Sequence, residues 1–210
     1  QTDAPPAPDA RQKLLDAALS VIRRQGFAAT SVAELCAAAG VTKGAFFHHF
    51  ASKEALGVAA ARHWQETTDV LFAGAPYHAP EDPLDRVLAY LAFRRALLAG
   101  EIAEVTCLVG TMAQEVYAAH PAIREACGAS IVGHAATLED DIAAAIARHG
   151  APAGVDAAGL ALHTQVVLQG AFVVAKATND ITAAEAGVDH LARYFRLLFN
   201  APEERSDGTV

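Results

Sequence analysis

The chain of 210 residues has room for one large domain or two small ones. Apolar residues make up 53% of it and charged residues 19%, which excludes wholesale disorder. About a quarter of it is alanine, while β-branched and aromatic residues are modest, so an all-β sandwich or barrel is excluded and helices are expected. The net charge of −8 is unevenly divided. Residues 9–64 carry seven Lys/Arg against four Asp/Glu, and residues 65–210 carry nine against nineteen. Only the N-terminal piece is therefore suited to phosphate.

Cys36, Cys107 and Cys127 are odd in number and have no close pair. They argue against a disulfide framework and a zinc ribbon, and fit a reducing, cytoplasmic setting. Residues 1–8, QTDAPPAP, have neither a basic start nor an apolar run and read as a disordered leader.

Leu15, Ala18, Leu19 and Ile22 recur at helical spacing, and Gln25-Gly26 ends that helix. Val32, Leu35, Cys36 and Ala39 repeat the pattern up to Gly40, with Ser31 and Glu34 as a capping box. A short third helix begins near Thr42 and breaks at Phe50-Ala51. A fourth is capped by Ser52 and runs to about Phe72, before a loop marked by Gly74, Pro76 and Pro80.

Five more helices follow. Asp82-Pro83 opens one that carries Leu84, Val87, Leu88 and Leu91 toward Gly100. The next is expected over 103–119, and His120-Pro121 then opens a long one to about His149. After the turn at 150–154, Asp156 caps a helix to about Ala177 that is apolar nearly all round. It is long enough to span a bilayer, but His163, Thr164, Gln165 and Gln169 interrupt it, so burial in a core or interface is expected and no membrane partner. Thr182 with Glu185 reads as a second capping box, opening a last helix with Val188, Leu191, Ala192, Phe195, Leu198 and Phe199 on one face. The fold class is thus all-α with nine helices.

Residues 31–50, SVAELCAAAGVTKGAFFHHF, have the makings of a helix-turn-helix. Gly40 supplies the small turn residue, and Val32, Leu35, Val41 and Phe46 supply apolar faces. Docking a helix into a major groove needs small side chains near its start, which Gly44 and Ala45 provide. Phosphate donors are also needed, and Lys43, His48 and Lys53 are candidates.

The stretch 11–64 closely resembles the N-terminal domain of TetR/AcrR transcriptional repressors. The matching elements are Gly26-Phe27, Thr30, Ala39-Gly40-Val41, Lys43-Gly44, His48-His49-Phe50 and Ser52-Lys53-Glu54. One departure is Phe47, where the family commonly places a tyrosine whose hydroxyl bonds a phosphate. The resemblance implies a double-stranded DNA operator read by Thr42, Lys43, Gly44, Ala45, Phe47 and His48, with Thr30 and Lys53 on phosphates. It also implies a helical domain for a small-molecule effector, and a four-helix bundle made by the last two helices with those of a second subunit. The residue pattern agrees, since one subunit can hardly bury both final helices. Leu160, Val167, Val174, Leu191, Phe195 and Leu198 are the expected homodimer interface.

Segment 106–117 and the segment GAFVVAK at 170–176 look like the subgroup of these repressors that respond to electrophiles. That likeness puts Cys107 and Lys176 on a reactive cysteine and a neighbouring lysine. Thr111 and Gln114 share the small, mildly polar side of the 103–119 helix with Cys107, and Gln169 and Phe172 share a stripe with Lys176. Together they are the expected effector pocket or sensor. The rivals from other classes are a helical thiol enzyme using Cys107 with His134 or His163 as base, and a ligand-binding protein using Cys107 whose helix-turn-helix is vestigial. Neither histidine has a recognisable catalytic setting, so no enzyme is expected. His63, His120, His134, His163 and His190 show no ligand spacing, so no metal and no cofactor is expected. The domain reading is a helix-turn-helix domain at 9–52, an effector-binding and dimerisation domain at 53–200, and a flexible tail at 201–210.

Overall fold

Each early helix starts where a side chain can take up an orphan amide. In the computed structural model, which describes residues 9–201, Asp9 accepts the amide of Gln12 at 2.8 Å and opens α1 (Ala10–Gln25). Gly26 closes it at φ +87°, a conformation that disfavours any residue with a Cβ. Ser31 and Glu34 form the reciprocal capping box that opens α2 (Val32–Ala39), and Gly40 ends it in the left-handed region. Thr42 caps α3 (Lys43–His49), and Ser52 accepts the amide of Ala55 at 3.0 Å ahead of α4 (Lys53–Ala73). The expected leader at 1–8 and the tail beyond Ala201 lie outside the described residues.

A 3-10 turn at Pro76–His78 precedes α5 (Pro83–Ala96), which opens on the Asp82 cap. Then come α6 (Ile102–Val105), α7 (Leu108–Val116), α8 (Pro121–Ala136), α9 (Glu139–His149), α10 (Ala157–Thr178) and α11 (Thr182–Leu198). No strand occurs among the described residues.

Three local expectations are corrected. The helix expected over 103–119 is divided: Cys107 is extended, and its sulfur accepts the amide of Gly110 at 3.5 Å as the cap of α7. Cys107 therefore stands at a helix end rather than on a helix face. The adjacent β-branched Val105 and Thr106 weaken helix continuity there. The long helix expected from Pro121 to His149 breaks at Thr137–Leu138. The Thr137 hydroxyl donates to the carbonyl of His134 at 2.8 Å, and Glu139, Asp140 and Asp141 fill the first turn of α9, where carboxylates suit the helix dipole. The Thr182–Glu185 box does not form. Thr182 instead bonds Asp180 through its amide (2.9 Å) and hydroxyl (2.7 Å), while Glu185 pairs with Arg95 at 2.8 Å.

The chain divides into two compact units. The first holds the residues up to Phe72 together with Thr106–Ile131. Its core is one apolar cluster built from Leu14, Leu15 and Ile22 of α1, Leu35, Phe46 and Leu56 of the next three helices, and Leu108, Met112 and Ile123. The second unit holds Ala73–Val105 and the residues from Val132 on. There α5 packs on α9 and α11, and α10 packs on α9 and α11.

α10 is long and apolar enough to cross a membrane by length and composition. Its polar residues point to a different use. Thr164 and Gln165 are buried in the second unit, and the Gln165 amide donates to the Tyr90 hydroxyl at 3.4 Å.

Candidate nucleic-acid interface

The turn between α2 and α3 is held by its own backbone. The amides of Gly40 and Val41 donate to the carbonyls of Ala37 (3.2 Å) and Cys36 (3.0 Å). Phe46 anchors α3, fully buried, with Phe47 edge-on to it at 5.1 Å and Phe50 tilted beside it at 5.8 Å. Anchoring one side of so short a helix leaves the other in solvent. Thr42, Lys43, Gly44, Phe47 and His48 are all exposed, and Ala45 is half-buried. The Thr42 hydroxyl accepts the Ala45 amide at 3.1 Å, which leaves its own proton to donate outward. Gly44 would meet nothing closer than the Thr42 hydroxyl oxygen, at 3.6 Å, if it carried a Cβ. The exposed row thus combines a cation, hydroxyl and imidazole donors, an aromatic face and a small residue for close approach.

Two expected phosphate contacts are corrected. Thr30 is only 1% exposed, and its hydroxyl donates to the Gly26 carbonyl at 2.6 Å, so it shapes the α1–α2 loop. The Lys53 ammonium donates to the carbonyls of Phe27 (3.0 Å), Ala28 (3.3 Å) and Thr30 (2.9 Å), and lies 4.5 Å from the centre of the Phe27 ring. Three carbonyls and a ring face satisfy that cation inside the fold.

The expected effector residues fall in both units. Cys107, Thr111 and Gln114 belong to the first, and Gln169, Phe172 and Lys176 to the second. Thr111 and Gln114 turn back on their own helix, donating to the carbonyls of Cys107 (2.9 Å) and Gly110 (3.1 Å). Phe172 is buried, while Gln169 and Lys176 are half-buried. Of the other thiols, Cys36 is buried, and burial, with the nearby Cys107, pushes the Cys127 thiol up to about 12.

The sequence reading passed over a buried polar group in the second unit. The Tyr90 hydroxyl lies 3.0 Å from His134 Nε2, and the Tyr77 ring stands edge-on to Tyr90 at 5.4 Å. Burial, then the charge of Arg94, pushes the His134 imidazole down to about 3, and burial raises Tyr77 to about 12. His163, the other histidine of the thiol-enzyme reading, packs edge-on to Tyr194 at 5.4 Å. No group of three or more His, Cys, Asp or Glu among the described residues is placed to hold a metal.

The expected dimer face also needs correction. Leu160, Leu191 and Phe195 are buried in the second unit itself, Val167 and Leu198 are half-buried, and only Val174 is exposed. The exposed apolar side chains of α10 are instead Leu162, Val166, Val173 and Val174, with Tyr194 and Leu197 exposed on α11.

A buried anchor, a glycine turn and an exposed reading row make this an all-helical protein with a helix-turn-helix head. The family model for bacterial regulatory proteins of the tetR family matches residues 14–60, and the model for the tetracyclin repressor-like C-terminal domain matches residues 83–191. The chain therefore belongs to the tetR family of bacterial regulatory proteins.

Among similar proteins, the HTH-type transcriptional repressor NemR of Escherichia coli K12 is 38% identical over 87 residues, covering 39% of this chain and 41% of NemR. The transcriptional regulator AcuR of Cereibacter sphaeroides is 32% identical over 117 residues, covering 54% and 52%. The matched segments thus span about two fifths to one half of these curated relatives. A TetR transcriptional regulator from Chloroflexus aurantiacus superposes with a TM-score of 0.76 at 27% identity, over 90% of this chain and 95% of that one. The reduced form of E. coli NemR superposes with a TM-score of 0.73 at 26% identity, over 88% and 95%.

Proposed function

We propose that the chain is a DNA-binding transcriptional repressor, cytoplasmic and without enzymatic activity. In this reading it grips a palindromic operator as a homodimer and is released by a small apolar or electrophilic effector. The carrying observation is the exposed row of Thr42, Lys43, Gly44, Phe47 and His48 on a helix fixed from behind by Phe46. Lys43 and His48 supply the charge and donors that phosphates and base edges require. Membership in a family of regulatory proteins supports the same reading.

The second subunit would cover the exposed apolar side chains of α10 and α11, and so set two recognition helices on one operator. An effector needs only a few kcal/mol of differential affinity to shift such a dimer between DNA-holding and released states. Cys107, Thr111, Gln114, Gln169, Phe172 and Lys176 remain the proposed sensor residues, Cys107 being the thiol not fully buried.

The test is a shift assay on DNA flanking the chain's own gene, beside an unrelated duplex of equal length. Selective retention supports the reading, and equal or absent retention overturns it. Lys43→Ala should weaken binding to both duplexes and lower the log–log salt slope by about 0.9, as for one lost phosphate contact. An unchanged slope would place Lys43 away from the backbone.

A further inference from the structure

The loop between α1 and α2 is gripped from two sides by opposite charges. On its amide side, the Glu115 carboxylate of α7 accepts the N–H groups of Phe27 at 2.6 Å and Ala28 at 3.0 Å. On its carbonyl side, Lys53 at the start of α4 accommodates the oxygens of Phe27, Ala28 and Thr30. A Cβ on Gly26 would stand 2.8 Å from Glu115 Oε1, so the glycine also makes room for the carboxylate. His120, just after α7, reaches Glu54 at 3.2 Å and sets its ring edge-on to Phe27 at 5.5 Å. Hydrogen bonds to an ionised group are roughly twice as strong as neutral ones, so this loop is fixed by α7 and α4 more firmly than by its own turn.

We propose that Glu115 is a positioning residue for DNA reading: its two hydrogen bonds make the placement of α2, and of the α3 it carries, depend on the placement of α7. The inference rests on the reading of the chain as a DNA-binding regulator. The loop delivers the chain to Ser31, the cap of α2, so a shift of the loop is a shift of the helix-turn-helix. The other end of α7 is its weaker end. Just before its Cys107 cap, the Thr106 hydroxyl is buried with no hydrogen-bond partner, the one such side-chain atom among the described residues. A rearrangement there moves α7, and Glu115 carries the movement to the reading helices.

The test compares the full-length chain with Glu115→Gln, which keeps the side chain's shape, and Glu115→Ala. Amide hydrogen exchange at Phe27 and Ala28 should accelerate about tenfold or more in the free variants, as for a lost charge-assisted bond. Affinity for the duplex flanking the chain's own gene should fall about fivefold or more, with the salt slope unchanged, because no phosphate contact is removed. A role in stability alone would lower the melting temperature and leave the affinity of the folded variant unchanged. Simple removal of a negative charge would tighten binding. Wild-type protein that fails to retain the duplex overturns the regulator reading. Wild-type protein that retains it, with variants binding as tightly or exchanging as slowly, overturns the role of Glu115 alone. Should Glu115→Ala unfold, Glu115→Gln decides.

Discussion

In the first unit Phe27 and Phe46 are sealed in a core shared by α1 to α4, α7 and the start of α8, while in the second α10 and α11 leave Leu162, Val166, Val173, Val174, Tyr194 and Leu197 in solvent. The outward positions of the first unit are mostly polar, small or charged, and its exposed large apolar side chains, Phe47, Val70, Leu71 and Tyr117, sit at three separate places in the chain: on α3, at the end of α4 and just after α7. A unit that buries most of its apolar residues is free to present chemistry to a ligand such as DNA. A unit that leaves an apolar stripe uncovered presents the stripe itself, which is what a second copy of the chain would cover.

The largest effect should come from the sealed side. Phe27 touches the Lys53 ammonium and the His120 ring, and it packs so closely on Gly57 that a Cβ there would stand 2.7 Å from the ring. Phe27→Ala should cost about 3–5 kcal/mol by chemical denaturation, as for other buried aromatic truncations. Leu197→Ala on the uncovered side, measured at a concentration where the chain is monomeric, should stay within about 0.5 kcal/mol. Similar losses at both positions would erase the contrast.

The uncovered stripe has its own test. Val166→Asp combined with Leu197→Asp should leave the monomer folded and dissolve the proposed dimer, because each carboxylate would be buried unpaired in it at a cost of several kcal/mol. Sedimentation that still reports a dimer would put the interface elsewhere. Phe195, the position that periodicity favours, is unsuited to this test, since it is fully buried in the second unit and a charge there would unfold it.

That misplacement shows what the sequence could and could not reveal. The helix-turn-helix was legible because its signals are local: a capping box three residues apart, a glycine at the turn, and an apolar spacing that singles out Phe46. The caps at Asp82 and Asp156 were legible for the same reason. α10 was ambiguous because it is apolar on both sides, so periodicity could not say which face looks inward. Thr182 was misread because Asp180, two residues away, outcompetes Glu185 for its amide and hydroxyl. Glu115 was invisible, since its partners lie 88 and 87 residues away and nothing in their spacing announces the meeting.

A smaller effect separates the interiors of the two units by pH. His134 in the second unit takes up its proton at about 3 when folded, against the ordinary 6.5, because burial and then the Arg94 charge oppose the imidazolium. Between these values the unfolded chain binds more protons than the folded one, so stability rises with pH. The contribution is complete above 6.5 and is lost as pH falls toward 3, at roughly 1 kcal/mol per pH unit. Glu34, held low by its bonds to Ser31, and Asp180, held low by Thr182, act in the same direction but below 4.5, the ordinary value of a free glutamate. The difference in slope between parent and His134→Leu over pH 5 to pH 6.5 therefore reports the histidine. Denaturation at those two pH values should show a steeper rise with pH in the parent than in His134→Leu. An equal slope in both proteins would assign the acid sensitivity to another group.

The smallest expected change is a gain, and it lies on the reading row. Phe47 is 58% exposed, and its ring is set by an edge-on contact with the buried Phe46. A hydroxyl added to that ring would meet solvent in the free protein, so Phe47→Tyr carries no burial penalty and should leave the melting temperature unchanged. On DNA the same hydroxyl can donate to a phosphate oxygen, the contact expected of the tyrosine that the family commonly places here. One such bond is worth about 1 kcal/mol, roughly a fivefold gain in affinity. The phenol is neutral, so no additional counterion is released and the salt slope should match the parent's. A steeper slope would mean that the substitution had drawn a cation such as Lys43 onto the backbone. An unchanged affinity would place the outer edge of the Phe47 ring away from the phosphates, facing bases or solvent, and would narrow the phosphate-facing part of the row to Thr42, Lys43 and His48.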